Sequence, residues 1–321
     1  MMLSRVAERV YWFARYLERV ESMARLIQVY TGLLFDLPRD TGISWHNLVI
    51  ASGSHGEYNR RFSVQDEKRV VKFLLEDLSN PSSLASSLRM VRENIRTTRD
   101  IVPQESWELV NEFQIFVSEN IAQGLNRRYR HEFLEEIIKT CQQINGLIAD
   151  TMRRDAAWHF LNMGRSLERA DMTIRILEAG ASMSSDFIEN DTNHVLDAVW
   201  GSVLGTLNAT MPFRRTMKVA IKGDDAARFL LEDTLFPRAV TCGLLRMQDS
   251  AKQLPSSEKV MSCLNDFVKT VTSGSDYTDV SVGFPAYLTE LEKTQSSFTR
   301  RFKIRGSSRH SVLGPVCVRR L

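Results

Sequence analysis

The sequence predicts an all-α fold, a multi-helix bundle built from an internal duplication of two similar helical halves. Three observations lead to this prediction. Turn-forming residues are scarce, with 16 Gly and 8 Pro in 321 residues, whereas folds made of many short strands need more of them. Apolar residues recur at the helical spacing of three and four along most of the chain. One such stretch occurs twice, together with its flanking charges.

The first long helix is predicted to begin near Ser4 and to end before Pro38. Its apolar residues alternate steps of four and three and therefore form one stripe: Val6, Val10, Phe13, Leu17, Val20, Ala24 and Ile27. Trp12, Tyr16 and Met23 widen this stripe. We therefore expect the helix to be packed on two sides and to contribute core rather than a cofactor site.

The same stripe returns 150 residues later without a gap. Its second copy consists of Ala156, Phe160, Met163, Leu167, Ala170, Ile174 and Leu177. The charged segment Arg15–Arg19 is matched at the same offset by Arg165–Arg169. A second match, at an offset of 156, relates residues 73–77 to residues 229–233. Chance rarely preserves both an apolar stripe and the charges beside it, so the matches indicate an internal duplication.

We predict one helical domain over residues 1–305, with repeat halves at about 1–150 and 151–305, followed by a basic, flexible tail over residues 306–321. Further helices are expected where the helical period persists, at 84–102, 103–117, 133–148, 192–210, 213–222, 224–234, 237–254, 257–272 and 285–304. Loops are expected where Gly, Ser, Asp or Asn accumulate, at 37–43, 53–63, 180–191 and 273–283.

The charge of the chain is concentrated at its end. Lys and Arg number 42 against 39 acidic residues, a formal charge of +3, but residues 300–321 contain seven basic residues and no acid. The rest of the chain therefore carries a formal charge of −4. A basic face on the folded domain, typical of nucleic-acid binding, is not indicated. The tail is interpreted as solvated, with binding to RNA or to an anionic membrane surface as the alternative.

The cysteines and the N-terminal residues indicate the cellular compartment of the protein. Four widely spaced cysteines form no CxxC pair, which is typical of reduced thiols rather than of a disulfide framework. The first twenty residues contain no apolar signal-peptide core, and no run of eighteen apolar residues occurs. We expect a cytoplasmic protein that does not enter a membrane.

Two matching sets of charged residues border the two apolar stripes. They are Arg15, Glu18 and Arg25, and Arg165, Glu168 and Arg175. A spacing of three lets the first Arg and the Glu of each set meet. Because Arg19 and Arg169 directly follow the glutamates, acid and base are expected on adjacent faces that cannot both point at one neighbour. One interpretation is a pair of ion-paired struts between helices, which sets register. The alternative is a polar pocket on the pseudo-two-fold axis, made from both copies.

A second charged pattern is a stripe of four arginines at steps of three, four and three: Arg89, Arg92, Arg96 and Arg99. Glu93, Asn94 and Asp100 flank it. Arginines on one face can hold carboxylates or phosphates with two hydrogen bonds each. They can equally cap acidic residues such as Glu76 and Asp77 within the fold, or form a paired and solvated surface.

Standard catalytic signatures do not occur. The sequence has no phosphate-binding P-loop, no dinucleotide-binding glycine motif, no HExxH and no GxSxG. The six histidines are scattered, and only Asp191 with His194 approaches the Glu-x-x-His pattern of di-iron bundles. We therefore predict no metal site and no cofactor, and we assign no catalytic residue.

Several motifs in order resemble those of the bacterial alpha-E domain family. Leu3–Trp12, running into Arg15–Glu21, resembles the opening of that family, which is named for an all-helical fold and a Glu-Arg pair. Val91–Arg96, with Arg99, Asp100 and Trp107, resembles its central motif. Phe236–Val240 resembles its later Pro-Arg-Ser-Val signature and departs from it at Ala239, where Ser is usual. The resemblance spans about residues 1–305.

The polar residues of these motifs form the predicted functional set. They are Arg15, Glu18, Arg19, Arg92, Glu93, Asn94, Arg96, Arg99, Arg165, Glu168, Arg169 and Arg238.

The resemblance implies a functional context that no residue pattern provides. Members of this family are often encoded beside, or fused to, a circularly permuted ATP-grasp ligase and transglutaminase-like peptidases. The leading expectation is therefore an accessory scaffold in peptide synthesis or modification, which docks the ligase or holds its peptide substrate and is not itself an enzyme. A transglutaminase-like protein is a second expected partner, and a homo-oligomer is left open.

Two alternatives belong to other functional classes. The first is an acyl- or peptidyl-transferase in which Glu18 or Glu168 exchanges a proton and Arg92 and Arg96 bind an anionic leaving group. The second is a binder of nucleic acid or membrane surfaces that uses the tail. The acidic body of the chain argues against the second.

Overall fold

A computed structural model of the protein describes residues 4–38, 41–185, 193–273 and 283–301. Within these ranges the secondary structure is helical and no β-strand occurs, which confirms the predicted all-α class. The helices, in chain order, are α1 Ser4–Asp36, α2 Trp45–Ala51, α3 His55–Arg61, α4 Glu67–Leu75, α5 Leu84–Arg96, α6 Gln104–Leu125, α7 Arg130–Thr151, α8 Ala156–Ser185, α9 Asn193–Thr206, α10 Thr210–Met217, α11 Gly223–Glu232, α12 Val240–Lys252, α13 Glu258–Thr272 and α14 Phe284–Arg301.

The two longest helices, α1 and α8, form the centre of the bundle. They pack on each other more extensively than any other pair of described helices. The matching stripes predict either this contact or equivalent places about a pseudo-two-fold axis. Helices α5, α7 and α9 also pack on α1, and α12 and α14 pack on α8. Neither stripe would be covered by α1 or α8 alone, so the core of the bundle depends on both helices.

A glycine sets the distance between the two central helices. A Cβ atom on Gly164 of α8 would lie 2.3 Å from the carbonyl oxygen of Tyr11 in α1, which is far inside van der Waals contact. Only glycine allows this approach. The apolar stripes close around the contact, where Val10, Val20 and Leu167 are among the fully buried side chains. Such close packing brings the charged residues beside the stripes within reach of the opposite helix.

Helices α5 and α12 begin differently although both follow a proline-containing turn. At α5, the Ser83 hydroxyl accepts a hydrogen bond from the Ser86 amide at 3.1 Å and caps the helix. At α12, Ala239 occupies the N-cap and provides no side-chain acceptor. Helix α12 therefore begins without a side-chain cap at Ala239, where the motif that this segment resembles has Ser.

Several boundary predictions were wrong. The predicted loop 53–63 contains α3, because the ring of Tyr58 is buried against Phe73 and its hydroxyl donates to the Val64 carbonyl at 2.7 Å. Burial of one large side chain therefore outweighs a polar local sequence. Helix α8 also continues through Gly180 to Ser185, because this turn packs on α9.

Helix α5 ends at Arg96 rather than near residue 102. The hydroxyls of Thr97 and Thr98 donate to the Asn94 carbonyl and compete with the helical pattern. Arg99 therefore lies in the turn after the helix. Residues 186–191 of the predicted loop 180–191 and residues 274–282 of the predicted loop 273–283 lie outside the described residues, and so does the predicted tail over 306–321.

No helix in the described part of the chain has both the length and the apolar character to cross a bilayer. Over the same residues, no three His, Cys, Asp or Glu side chains are grouped so that they could hold a metal ion.

Candidate functional site

The Glu-Arg pairs at 18–19 and 168–169 bind each other across the interface between α1 and α8. Arg19 donates to Glu168, and Arg169 lies 2.9 Å from Glu18, so each pair contributes one acid and one base to the other. The sequence had predicted that neighbouring acid and base would not point at one neighbour, and this was wrong. Because α1 and α8 are so close, long side chains on both sides of the contact reach the opposite helix.

The first pairing, which we call the closed end, consists of Glu168 with Arg15 and Arg19. The Arg15 Nε atom donates to Glu168 Oε2 at 2.7 Å, and Arg19 donates to the other oxygen. The Glu168 side chain is 0% exposed. The two guanidinium groups are covered by aromatic rings, with Arg15 5.0 Å from the Trp12 ring and Arg19 5.3 Å from the Tyr16 ring. Both carboxylate oxygens are therefore satisfied in a dry setting.

The second pairing, which we call the open end, consists of Glu18 with Arg169 and Arg238. Arg238 donates to Glu18 Oε1 at 2.7 Å and to Glu21 Oε1 at 2.9 Å. The contact between Arg169 Nε and Glu18 Oε2 is an ion pair without hydrogen-bond geometry, and both atoms are buried with no hydrogen-bond partner among the described residues. The open end is therefore less completely satisfied than the closed end.

The segment between α11 and α12 positions Arg238. The Asp233 carboxylate accepts hydrogen bonds from the amides of Leu235 and Phe236, at 2.8 and 2.6 Å, and shapes the turn. The Thr173 hydroxyl of α8 donates to the Arg238 carbonyl at 2.8 Å and ties the turn to the central helix. A backbone anchored in this way holds the guanidinium over α1.

One turn further along each central helix lies a local ion pair. Arg25 donates to Glu21 at 3.0 Å in α1, and Arg175 lies 3.1 Å from Asp171 in α8. Glu21 therefore joins the open end to this second layer, because it accepts from Arg25 and from Arg238.

The electrostatics of the two glutamates follow from their partners. Burial alone would raise the pKa of Glu18, but Arg169 and Arg238 outweigh it and lower the pKa to about 2. Burial opposes ionisation of Glu168 in the same way, and Arg19 and Arg15 lower its pKa to about 2. Both groups therefore remain ionised near neutral pH and hold no proton to donate.

Arg165 differs from every other arginine of this network. It was predicted to meet Glu168, but it makes no ion pair with any residue that the structure describes, because Arg15 and Arg19 already occupy that carboxylate. Desolvation and the charge of Arg169 lower the pKa of Arg165 to about 10. Its side chain borders a cavity of about 630 Å³ between α8 and α12.

This cavity differs from the pocket that the sequence suggested. A pocket made from both charged sets was expected, yet the lining comes from α8, from α12 and from their flanking residues, and includes Arg165, Ser166 and Arg169. Arg15, Glu18 and Glu168 do not line it. Of the two charged sets, only Arg165 borders the cavity.

The predicted arginine stripe lies apart from this network, on the solvent-facing side of α5. Arg92 donates to Asn111 of α6 at 2.8 Å, and Arg96 pairs with Glu93 at 2.9 Å. The Arg99 guanidinium lies 3.8 Å from the centre of the Trp107 ring. These side chains are exposed, so the stripe does not converge with the buried glutamates.

Two other predictions for this region also differ from the structure. Asn94 is buried and donates to the Met90 carbonyl at 2.8 Å, so it supports the end of α5. Glu76 and Asp77 pair with Lys72 and Arg61 rather than with the arginine stripe.

Sequence reasoning missed the residues that distinguish the two ends. Trp12 and Tyr16 were assigned to the core on their spacing alone, although they cover the arginines of the closed end. Arg154 and Arg246, which border the cavity, were not singled out. The available signal was the alignment of the two copies, which places Asn162 and Ser166 where the first copy has two aromatic residues.

The chain is similar in sequence to uncharacterized mycobacterial proteins. The uncharacterized protein Mb2597 of Mycobacterium bovis is 22% identical over 271 residues, and the uncharacterized protein Rv2567 of Mycobacterium tuberculosis is 21% identical over 271 residues. Each alignment covers 79% of this chain and 30% of the relative, so the chain spans about 30% of the length of these relatives. No solved structure matches the chain.

The Alpha-E family, described as "A predicted alpha-helical domain with a conserved ER motif", matches residues 2–303. The match extends over all four segments that the structure describes, from α1 to α14. The chain belongs to the Alpha-E family.

Proposed function

We propose that this chain is an accessory, non-catalytic scaffold of a peptide synthesis or modification system, and that it docks a circularly permuted ATP-grasp ligase or the peptide substrate of that ligase. The setting of this proposal is the cytoplasm, with a transglutaminase-like protein as a second partner. The proposal combines the resemblance in sequence with one structural observation, the internal use of the Glu-Arg pairs.

The Glu-Arg pairs are used inside the bundle rather than at its surface. Glu18 and Glu168 are each held by two arginines inside the bundle, with side chains that are 0% exposed. A carboxylate with a pKa near 2 is a weak base, and it has no proton to donate near neutral pH. The Glu-Arg pairs therefore act as cross-links that hold α1 and α8 in register, as expected of a rigid binding module.

The arginine stripe provides a surface for docking. Arg89, Arg92 and Arg96 are exposed on one side of α5, and Arg99 follows in the next turn beside Trp107. Arginines beside a partly buried aromatic ring are typical of the energetically important centres of protein interfaces. An acidic face of a ligase, or the carboxylates of a peptide, would complement this surface.

The transferase alternative loses support from the same geometry. It needs one of the glutamates and the pair Arg92 and Arg96 to border one cavity. The glutamates are closed in dry ion pairs, whereas the two arginines face solvent on another helix. A catalytic role would require other residues than those the sequence suggested.

We also propose that residues 1–150 and 151–305 arose by duplication of one helical unit. The matched stripes support this proposal, and so does the exchange in which Arg19 binds Glu168 while Arg169 binds Glu18. Such mutual contacts are typical of a two-fold interface between like elements.

The docking proposal is tested with the neighbouring ATP-grasp ligase. We expect the two proteins to co-purify at low salt, and the ligase rate to change when this chain is added. The double substitution Arg92→Glu and Arg96→Glu should abolish both effects, because it reverses two exposed charges of the stripe. The double substitution Lys259→Glu and Lys269→Glu, which reverses two exposed charges on α13, is the matched control and should change neither effect. Absence of a complex together with an unchanged ligase rate would rule the proposal out.

A further inference from the structure

The cavity between α8 and α12 is lined by an excess of positive charge. Four arginines border it, namely Arg154, Arg165, Arg169 and Arg246, against the single carboxylate of Asp249. Asp249 already pairs with Lys252 at 3.0 Å, and Arg169 pairs with Glu18. We call this feature the arginine cavity.

Three of the four arginines have no acidic partner. Arg154, Arg165 and Arg246 make no ion pair with any residue in the described part of the chain. Arg154 instead stacks on the ring of Trp158, with its guanidinium 3.6 Å from the ring centre. Positive charges gathered in a partly enclosed space repel each other and are stabilised when an anion enters.

One buried nitrogen at the same cavity, His159 Nδ1, makes no hydrogen bond within the described part of the chain. Arg169 Nε, by contrast, faces the Glu18 carboxylate at 2.9 Å. Buried polar atoms in folded proteins are nearly always paired, so His159 Nδ1 is open to a hydrogen bond with a ligand or with water in the cavity.

The turn before α12 explains why Arg165 is available. On Glu168, the second arginine is Arg15 of α1. Glu18 is bound in the same way by Arg238, which lies in the turn before α12. Arg165, which stands 150 residues after Arg15, is therefore not needed for the ion-pair network and borders the cavity instead. A cationic side chain that is kept partly buried without serving the fold is typical of a binding site.

We propose that the arginine cavity binds a small molecule that carries a carboxylate or phosphate group, with Arg165 and Arg246 as the principal anion ligands. Guanidinium groups hold both kinds of oxyanion through paired, charge-assisted hydrogen bonds. A volume of about 630 Å³ is in the range of pockets for small molecules and exceeds what one inorganic ion fills. The Trp158 ring and Asn162 offer an apolar and a hydrogen-bonding surface for the rest of the molecule. This inference does not depend on the proposed function.

The test is thermal unfolding and calorimetry of the full chain at constant ionic strength, with three probes. Inorganic phosphate represents the phosphate source, N-acetylglycine represents the carboxylate source, and N-acetylglycinamide is the neutral control. We expect at least one anion, and not the amide, to raise the unfolding midpoint by a few degrees, about 5 °C at a hundredfold excess over its dissociation constant.

Substitutions assign the binding to the cavity. Arg165→Gln should weaken binding by about 10- to 100-fold, because a charge-assisted pair is lost. Arg246→Gln, at an exposed position, should weaken it without disturbing the fold. Arg128→Gln, which removes an equal charge from the exposed turn between α6 and α7, should bind as the wild type does.

The outcomes are distinct. Binding of phosphate alone or of N-acetylglycine alone identifies the source of the anion and supports the site. Binding of neither anion overturns the proposal, and so does binding that Arg165→Gln and Arg246→Gln leave unchanged. The ligand-free Arg165→Gln protein should unfold at a temperature equal to or above that of the wild type, because an unpaired charge is removed.

Discussion

The closed end and the open end of the ion network start from the same dipeptide, Glu-Arg, and reach different states. At the closed end, both oxygens of Glu168 accept hydrogen bonds from α1, and aromatic rings cover the donors. At the open end, Glu18 has one hydrogen-bonded oxygen, and its partner Arg169 borders a cavity.

The neighbouring residues make this difference. The rings of Trp12 and Tyr16 pack against each other at a tilt of 31°, with centres 5.5 Å apart, and lie over the arginines of the closed end. The residues 150 positions later are Asn162 and Ser166, which are too small to do the same and instead line the arginine cavity. The same Glu-Arg pair is therefore a cross-link covered by aromatic rings in one copy and a cross-link beside a cavity in the other.

The largest effect on stability is expected when the two halves of the chain are separated, because the contact between α1 and α8 that holds both ends is then lost. Residues 1–150 expressed alone should aggregate or form a swapped dimer, because the stripe of α1 loses its contact with α8. At about 25 cal/mol per Å² of apolar surface, a few hundred Å² of lost contact costs several kcal/mol, comparable to the whole stability of a domain. Size-exclusion chromatography with light scattering measures the state. A monomeric fragment that melts cooperatively at the temperature of the full chain would refute a shared core.

Neutralising each glutamate separately tests whether the closed end contributes more to stability. Glu168→Gln leaves Arg15 and Arg19 buried without an acid and should lower the free energy of unfolding by about 3–5 kcal/mol. Glu18→Gln should lower the free energy of unfolding by less, about 1–3 kcal/mol, because Arg238 keeps its ion pair with Glu21 and Arg169 borders the cavity.

Urea denaturation of both variants beside the wild type measures this difference. Equal losses, or a larger loss for Glu18→Gln, would show that the contacts of the two ends do not determine their contributions.

The stability of the protein should fall at acid pH, where Glu18 and Glu168 become protonated. The pKa values of Glu18 and Glu168 in the folded protein are about 2, below the ordinary value of 4.5, so the unfolded chain binds more protons as pH falls. Their contribution, on the order of 3 kcal/mol each, is complete above about pH 5 and is lost as pH falls towards 2. Chemical denaturation between pH 7 and pH 2 measures the slope. Glu168→Gln should flatten it, and an unchanged slope in that variant would contradict the assignment.

Substitutions at the N-caps of α5 and α12 should change stability by smaller amounts and in opposite directions. Ser83→Ala removes the cap of α5 and should destabilise the protein by about 1 kcal/mol. Ala239→Ser should stabilise it by a similar amount, because the new hydroxyl can accept from the free amides at the start of α12. Since Arg238 precedes this position, the gain would strengthen the open end in particular. A loss of stability in Ala239→Ser would mean that the buried site has no room for the hydroxyl.

The smallest effect on stability is expected when the open end is made to resemble the closed end. Asn162→Trp introduces a ring where the first copy has Trp12 and should partly fill the arginine cavity. The unfolding midpoint should change by no more than a few degrees, whereas the anion-dependent rise should disappear. Calorimetric titration with the anion that binds the wild type measures the loss. Retained affinity in this variant would place the anion elsewhere.

Much of the architecture follows from residue patterns. The period of the apolar residues predicted helices at the places of α9–α14, although α10 ends five residues before the predicted 222. The matched stripes predicted that α1 and α8 either pack on each other or occupy equivalent places about a pseudo-two-fold axis, and the two helices do pack on each other. The errors have local causes. The buried ring of Tyr58 stabilises α3 inside a polar segment, and two threonine hydroxyls end α5 early. Such side-chain contacts are invisible to periodicity, which records only which face is apolar.

The sequence alone determined the helical class, the central pair of helices and the identity of the charged residues beside them, because helical spacing fixes which side chains share a face. Only the tertiary structure decided which charges meet. Contact within one helix would have paired Arg15 with Glu18, yet the approach allowed by Gly164 makes the opposite helix the nearer partner. Arg238, which lies in the turn before α12, binds Glu18 in the place that corresponds to Arg15 on Glu168. Arg165 therefore borders the arginine cavity instead. Ion pairs depend on distances of a few ångströms in three dimensions, and these are set by packing between helices rather than by spacing along one of them.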